Sequence, residues 1–600
     1  MASSSLQSLR IGIAGSILTA ISSAQMTVTL TPSLPSPAPV ATMITWNAAA
    51  SDSASGTIWY RFRVREVGGD YAMIRDYGPL ASLDWTASDH EGLYEMEVSA
   101  KNRQTADLAA TTSFYTMLSR VSSGDPVVSP TAHPLVFLYS ALCPTGSQMK
   151  VQFGAQDWVQ ETPTKICQTG RSMNFYLAGL RSNTAYVAQH VIDSRFVPRS
   201  IGMPPRTFGK ITTGPAISFM TTQEATGLFT ETVIQPPATG VSSPILLGSS
   251  LSGAVAHDLK GNVIWYTTNG IYTVTRAEDL GYFWGLIESE EFDVSQQVVR
   301  KFDLVGMTVL ETNAGRVNEQ LAALGRRPIT GFHHEARTLP DGRIAVLGGV
   351  EQILTDVQGP GPVDVLGDMI VVFDSNLNVV WTWDAFDHLD VTRQAILGET
   401  CTPISGCAPY YLAPTANDWT HGNSIQQTPD GELLYSSRHQ DWLIKVSYQN
   451  ATGDGHVIWR LGKDGDFQLN SSDPWPWFSH QHDGNIQLSA NPSALLVFDD
   501  GNTRVVSNGG NSRGQVLKLD EPNRTASFIL NADLGVFSMA VGSAQLLPDH
   551  NYHFDAGFVG EGTGVAYSIE VDGTGNFVYE AKGNTILYRT FRMTNLYTPN

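Results

Sequence analysis

FHHEARTLPDGRIAVLGG from Phe332, DWTHGNSIQQTPDGELLYSSRHQ from Asp418 and SHQHDGNIQLSANPSALLVFDDGN from Ser479 follow one pattern. Each enters on a polar, histidine-bearing head and alternates with an apolar bias. Each then turns on Pro, Asp, Gly, Asn or Ser and returns on Leu, Ile and Val. A period of two is the signature of a two-stranded hairpin. The same ionisable residue at three hairpin heads, His334, His421 and His482, predicts that the three surround one site.

The hairpins belong to a longer repeat that fills about 225–600. A strand ending in Asp, a polar turn and a return carrying a large apolar residue recur as AHDLKGNVIW (Asp258, Trp265), FDLVGMTVL (Asp303, Leu310) and FDSNLNVVW (Asp374, Trp381). Looser copies end at Trp459 and surround Asp520 and Asp572. These six copies predict six four-stranded units, each an inner hairpin of the histidine type followed by an outer hairpin of the Asp/Trp type. Radial repetition hides the sheet edges of such a chain, so the expected fold is all-β with a six-bladed β-propeller at 225–600. Only Val317–Arg327 (VNEQLAALGRR) reads as helix.

Upstream, short strands between turn signals over 25–122 (WYRFRV, MIRDYG, LDWT, YEMEVSAKN) have the spacing of an Ig-like β-sandwich. A second module is expected over 123–224. Its phrase LRSNTAYVAQHVI, with Leu180 and Tyr186 flanking a polar turn, resembles the later half of fibronectin type III domains. Residues 1–24 read as an export signal: Arg10, an apolar run from Ile11 to Ile21, then Ser22 and Ala24 before Gln25. That run is too short for a comfortable membrane span. Cys143 with Cys167 and Cys401 with Cys407 are close enough in sequence for two local disulfides, although sequence alone does not fix pairing. The expected location is therefore secreted or periplasmic. A formal net charge of −20 argues against nucleic acid, whose phosphates need a basic surface.

In a propeller the first strand of each blade lines the central channel, so the three heads should converge. Counting back from the Pro429-Asp430-Gly431 turn places Thr428 opposite Glu432, Gly422 opposite Arg438 and His421 opposite His439. Arg438 would then return to the mouth that holds His421 and Asn423. A guanidinium fork suits a tetrahedral oxyanion, and imidazole can donate, accept or attack. The set fits transfer of a sulfuryl or phosphoryl group. A single histidine of this kind is more often a polar lining residue; three in equivalent positions beside an arginine favour function. The competing reading is a metal centre, since His480 and His482 share a strand face and a third histidine could complete a zinc triad. Arg438 beside the cation weighs against it. No strand, glycine-rich loop and helix able to cradle phosphates is found.

HHEARTLPDG, DWTHGNSI, SSRHQ and QHDGNIQL followed by LLVFDDGN resemble the bacterial arylsulfate sulfotransferase family over roughly 225–600. The resemblance implies an exported six-bladed propeller that moves sulfate between phenols through a sulfohistidine, without a nucleotide donor. Carried over by motif, His482 would be the nucleophile, with His480 the runner-up. His334, His421, Asn423 and Arg438 would hold sulfuryl oxygens or handle the phenolic proton, with His439 at the substrate. A hydroxyl expected from the next blade falls on Ser538 or Ser543, and Ser543 is taken. The family can carry a short disulfide between its arginine and nucleophile motifs, whereas Cys401 and Cys407 precede His421. The partners implied are a small aryl sulfate donor and a phenolic acceptor, with no cofactor, metal, nucleic acid or membrane span, and with room for a homodimer. The rival classes are a metal-dependent hydrolase or lyase on the same scaffold and a non-catalytic extracellular binding propeller.

Overall fold

Strands dominate the chain, and helix is confined to α1 (Ala314–Ala323), α2 (Ala385–His388), α3 (Asn502–Asn508) and one short 3-10 turn among the described residues. The computed structural model describes residues 26–599 apart from 156–157, 196–208, 239–242, 269, 271, 288–292, 403–406, 488–493 and 561–563. The expected export signal at 1–24 lies outside the described residues. The expected helix Val317–Arg327 starts earlier, at Ala314. The Asn313 side chain accepts from Arg316 N at 2.9 Å and caps it there. α2 and α3, each of one or two turns, were not anticipated.

From residue 231 onward the strands fall into six sheets, each built on at least four strands in antiparallel order. Their leading strands are β1 (Val274–Glu278), β2 (Phe332–Thr338), β3 (Gly422–Gln427), β4 (His482–Gln487), β5 (Gly542–Leu546) and β6 (Leu587–Asn595). Consecutive leading strands touch one another from β1 to β6. The sheet led by β6 is completed by early strands of this region, because Ile245–Ser250 pairs with β6. Each seam between sheets is apolar, filled for example by Trp383, Trp419, Tyr435 and Ile444 in one cluster and by Phe498, Leu530, Phe554 and Ile569 in another.

The recurring Asp has a local cause. In four copies its carboxylate accepts two backbone N–H groups of the turn that follows, as Asp258 does from Lys260 and Asn262 and Asp374 from Asn376 and Asn378, all at 2.9 Å. Asp303 and Asp572 repeat the arrangement. The recurring Trp works between sheets. Trp265 donates to Leu304 O at 2.8 Å, Trp381 to Gly453 O at 2.9 Å and Trp459 to Glu521 at 2.9 Å, each acceptor lying in the next copy of the turn.

Ahead of these, Thr27–Pro32, Ile44–Ser51 and Ser82–Trp85 form a sheet of their own, the other strands of 38–118 extend the β1-led sheet where Arg75 pairs with Glu311, and residues 127–220 form two further sheets. The first set is pinned by Arg75, buried against Glu311, and by Asn313 donating to Tyr77 O at 2.9 Å. The second is pinned by Arg181 on Asp258 at 2.7 Å and by Tyr597, whose hydroxyl accepts from Ala178 N at 2.9 Å. Cys143 is bonded to Cys167 and Cys401 to Cys407, consistent with an oxidising compartment. No helix of the described residues is long and apolar enough to cross a membrane.

Candidate functional site

The three histidine-bearing leading strands share a departure from regular pairing. Register shifts fall between His333 and Ala336, between Gly422 and Ser424, and between His482 and Asn485. These β-bulges re-aim the strand heads. The first two histidines take positive φ, +57° at His334 and +46° at His421, and Asp483 does so in the third at +49°. Such backbone is uncommon for non-glycine residues and clusters at functional sites. The bulge corrects the counted register: Thr428 does face Glu432, but the extra residue Asn423 sets Gly422 against Ser437 rather than Arg438. His421 therefore faces Arg438, and His439 N donates to Thr420 O at 3.2 Å.

His334, His421, Arg438, His439 and His482 line one cavity of about 660 Å³. Its polar side also takes Glu399, Asp418 and Tyr588. Its apolar side is made by Leu251, Val274, Met539, Val541, Phe558 and Ile586. The imidazoles form a ladder: ring centroids are 4.8 Å apart for His334 and His421, 4.4 Å for His421 and His439, and 5.6 Å for His439 and His480.

Most of these rings are fixed from behind by a carboxylate. His482 Nδ1 meets Asp500 at 2.7 Å and His421 Nδ1 meets Asp418 at 2.6 Å. His334 leans on His333 (Nδ1 to Nδ1, 2.9 Å), whose Nε2 approaches Asp368 at 3.0 Å. Asp368 also receives Thr420, Gly422 N and Tyr435, which ties β2 to β3. A proton on Nδ1, shared with Asp500, would put the His482 lone pair on Nε2, and burial raises Asp500 well above the ordinary carboxylate range. Burial, then the Arg438 charge, holds the His482 imidazole well below the ordinary histidine range. Burial and the neighbouring His421 do the same to His334.

His480 is placed differently. It is buried outside the cavity lining, with Nδ1 at 3.0 Å from Asp441 and Nε2 against Glu399. Burial opposes its charge, but the hydrogen bonds to the two carboxylates outweigh burial and raise its pKa. Arg438 donates to His439 Nε2 at 2.7 Å and to Met539 O at 3.0 Å, while its buried Nε has no protein partner among the described residues.

Asn423 and Ser543 lie outside the cavity lining. Asn423 donates to Gln481 O at 2.7 Å and so holds the head of β4, and Ser543 donates to Thr590 O at 2.7 Å. Ser538 is likewise occupied, by Ala540 O at 2.9 Å. Instead of a hydroxyl, that sheet offers the segment Met539–Val541, with the β-branched Val541 at φ +58°. Tyr588, Asp418, Asp500 and Glu399 were not singled out from sequence. Asp500, in the FDDGN return of the third hairpin, was the most readable of them.

Apart from Asp418 with Cys401 and Cys407, whose sulfurs are bonded to each other, two groups among the described residues could offer three donors to a cation: Glu399, His439 and His480, and Asp418, His421 and His439. Both need His439, whose Nδ1 is bonded to Asp418 O at 2.7 Å and whose Nε2 is covered by the Arg438 guanidinium. A cation there would have to displace a fixed positive charge, so the donor set fits an anion better.

The sequence model of the Arylsulfotransferase (ASST) family matches residues 230–589, which takes in the first five leading strands, the start of β6 and every residue of the cavity. The chain belongs to the arylsulfotransferase family. No curated protein matches the chain. Family membership supports arylsulfotransferase activity, and with it a small-molecule donor and acceptor, and the histidine cavity lies within the family's span.

Proposed function

We propose that the protein is a nucleotide-independent arylsulfate sulfotransferase working through a sulfohistidine on His482. The single observation that carries this is the pairing of His482 Nδ1 with buried Asp500, which leaves Nε2 as the nitrogen available to the cavity. Nε2 attacks the sulfur of a phenolic sulfate ester, the N–S bond forms, and the S–O bond to the phenol breaks. The leaving phenolate takes a proton from His421, whose cationic form Asp418 stabilises at 2.6 Å. An acceptor phenol returns that proton to His421 as its oxygen attacks the sulfohistidine, which restores His482. Arg438 and His334 offset charge on the sulfuryl oxygens, and His439 fixes the Arg438 fork. His480, doubly held by carboxylates, serves as a cation behind the site rather than as the nucleophile.

On this reading the six sheets are the blades of a β-propeller. Consecutive contact of the leading strands and the pairing of Ile245–Ser250 with β6 support ring closure. The segments 25–122 and 123–224 are read as sandwich modules. For the second, a fibronectin-like corner is supported by the Tyr186 hydroxyl accepting from Arg181 N at 2.8 Å. The proposed location, secreted or periplasmic, rests on the disulfides and the leader-like start.

The test is mass-spectrometric trapping after incubation with a chromogenic aryl sulfate, in excess chelator and without nucleotide. Wild type should gain a sulfuryl group and transfer it to a phenol. His482→Asn should do neither while keeping its fold. An adduct retained in His482→Asn and lost in His480→Asn would move the nucleophile to His480. A strict need for a metal or a nucleotide donor would overturn the mechanism.

A further inference from the structure

A second cavity of about 360 Å³ takes residues from all six leading strands. It lies further along those strands than the histidine heads. On β2, Arg337 follows His334 by three residues, and on β6, Arg592 follows Tyr588 by four, so at about 3.3 Å per residue the two spaces are roughly 10–13 Å apart. His482 and Asp483, adjacent in the β4 bulge, face one cavity each.

The wall of this second space is cationic in a chain that is strongly acidic overall. Arg276, Arg337 and Arg592 line it, and Asp483 is the one carboxylate in the lining among the described residues. Arg592 is already engaged by Glu570 and by Ser243 O. Arg276 reaches Glu335 only at 3.4 Å, and Glu335 is held more closely by Arg589, at 3.0 Å. Arg337 gives one hydrogen bond, to Ile425 O at 2.6 Å, and has no ion-pair partner among the described residues. Most of its five-donor fork is therefore uncommitted. Burial and the adjacent Arg276 charge pull its pKa down to about 10, against the more distant carboxylates of Glu335, Asp483 and Glu278.

The rest of the wall is fixed in advance. Gln426 exchanges both amide hydrogen bonds with Ile486, at 2.6 and 3.0 Å, and Gln545 does the same with Arg592, at 2.8 and 2.9 Å. These amides lock neighbouring strands together and do not compete for the arginine fork.

We propose that this cavity is a second oxyanion site, in which Arg337 and Arg276 bind a tetrahedral oxyanion, free or as the head group of a small ester. The planar fork matches two oxygens of such an ion, and its entry supplies the charge that Arg337 lacks. The site is independent of the sulfotransferase reading, because none of its residues lines the histidine cavity.

Calorimetric titration of the full chain with inorganic sulfate tests it. The Arg438→Ala variant, stripped of the anion partner at the histidine cavity, should still bind sulfate, and Arg337→Gln should lose that binding event while retaining any binding at Arg438. Repeating the titration of Arg438→Ala with methyl sulfate separates the sources. Tighter binding of the ester assigns the site to an ester head group, and tighter binding of sulfate assigns it to the free ion. Should Arg337→Gln fail to fold, Arg276→Gln and crystals of wild type soaked in selenate serve instead, with an anomalous peak expected between the two guanidinium groups. No sulfate binding in Arg438→Ala, or unchanged binding in the Arg337→Gln/Arg438→Ala double variant, would overturn the proposal, as would selenate confined to Arg438.

Discussion

Arg438 shows how one side chain can depend on a neighbour for its geometry. His439 accepts from Nη1 and Met539 O from Nη2, which fixes the plane of the guanidinium at the cavity wall. If that plane meets sulfuryl oxygens as charge builds on them, its loss costs about 3 kcal/mol, roughly a hundredfold in rate. Arg438→Ala should show that loss in steady-state transfer. Arg438→Lys, which keeps the charge without the fork, should remain at least tenfold slow. Near-wild-type turnover in both folded variants would make Arg438 a rim residue. At this scale the sequence was informative where chemistry and position coincide: five of the seven singled-out residues line the cavity. It was silent on Asp418, Asp500 and Glu399, because an acid that orients a histidine carries no periodic signal and is recognised only when the chain brings it behind the ring. Asn423 and Ser543 point to neighbouring strands rather than to the cavity, a difference of side-chain direction that residue type does not encode.

The bulge is the element on which the site turns, and Gly422 is its tightest point. A Cβ there would lie 2.4 Å from the Tyr435 ring and 2.9 Å from the Asp368 carboxylate, which itself accepts from Gly422 N. Gly422→Ala should cost about 1–3 kcal/mol of stability by overpacking and displace His421. Denaturant titration and transfer kinetics on the same protein measure the two effects, and an unperturbed variant would show that the strand head can shift without harm. Hairpins, their turns and the Asp/Trp repeat were legible as a period of two and as a recurring cap. The one-residue bulge at Asn423 was not. Counting back from a turn assumes regular pairing, and an inserted residue moves every later partner by one position. Helix α1 was found with its start displaced for a similar reason, since its cap Asn313 lies in the preceding strand.

Across the whole molecule, buried ionisable groups set the response to pH. Glu231 is buried with neither carboxylate oxygen hydrogen-bonded, and burial pushes its pKa from 4.5 up to about 8, with Arg592 opposing. Burial, and after it the nearby Glu231, raises Asp555 as well. A carboxyl with a raised pKa holds its proton in the folded state while the unfolded chain releases it. Its contribution is therefore complete below about pH 4.5 and is lost as pH rises through 8. Glu231→Gln should flatten the decline in stability between those values, as read by denaturant midpoints across the range. A slope identical to wild type would mean that Glu231 is ionised in the folded protein. The all-β class was legible because the chain is built largely from local hairpins. What lies between units was not, since the Trp265, Trp381 and Trp459 bonds join residues dozens of positions apart.

Strand β6 gives this architecture a consequence for its biosynthesis. Residues 587–595 complete the sheet begun by Ile245–Ser250, and the same strand delivers Tyr588 to the histidine cavity and Arg589 to Glu335. A ribosome must therefore emit the chain through residue 595 before either that sheet or the cavity wall can exist. A message that stops before codon 587 would yield a chain lacking both. Closure of the sheet and completion of the cavity wall are one and the same step.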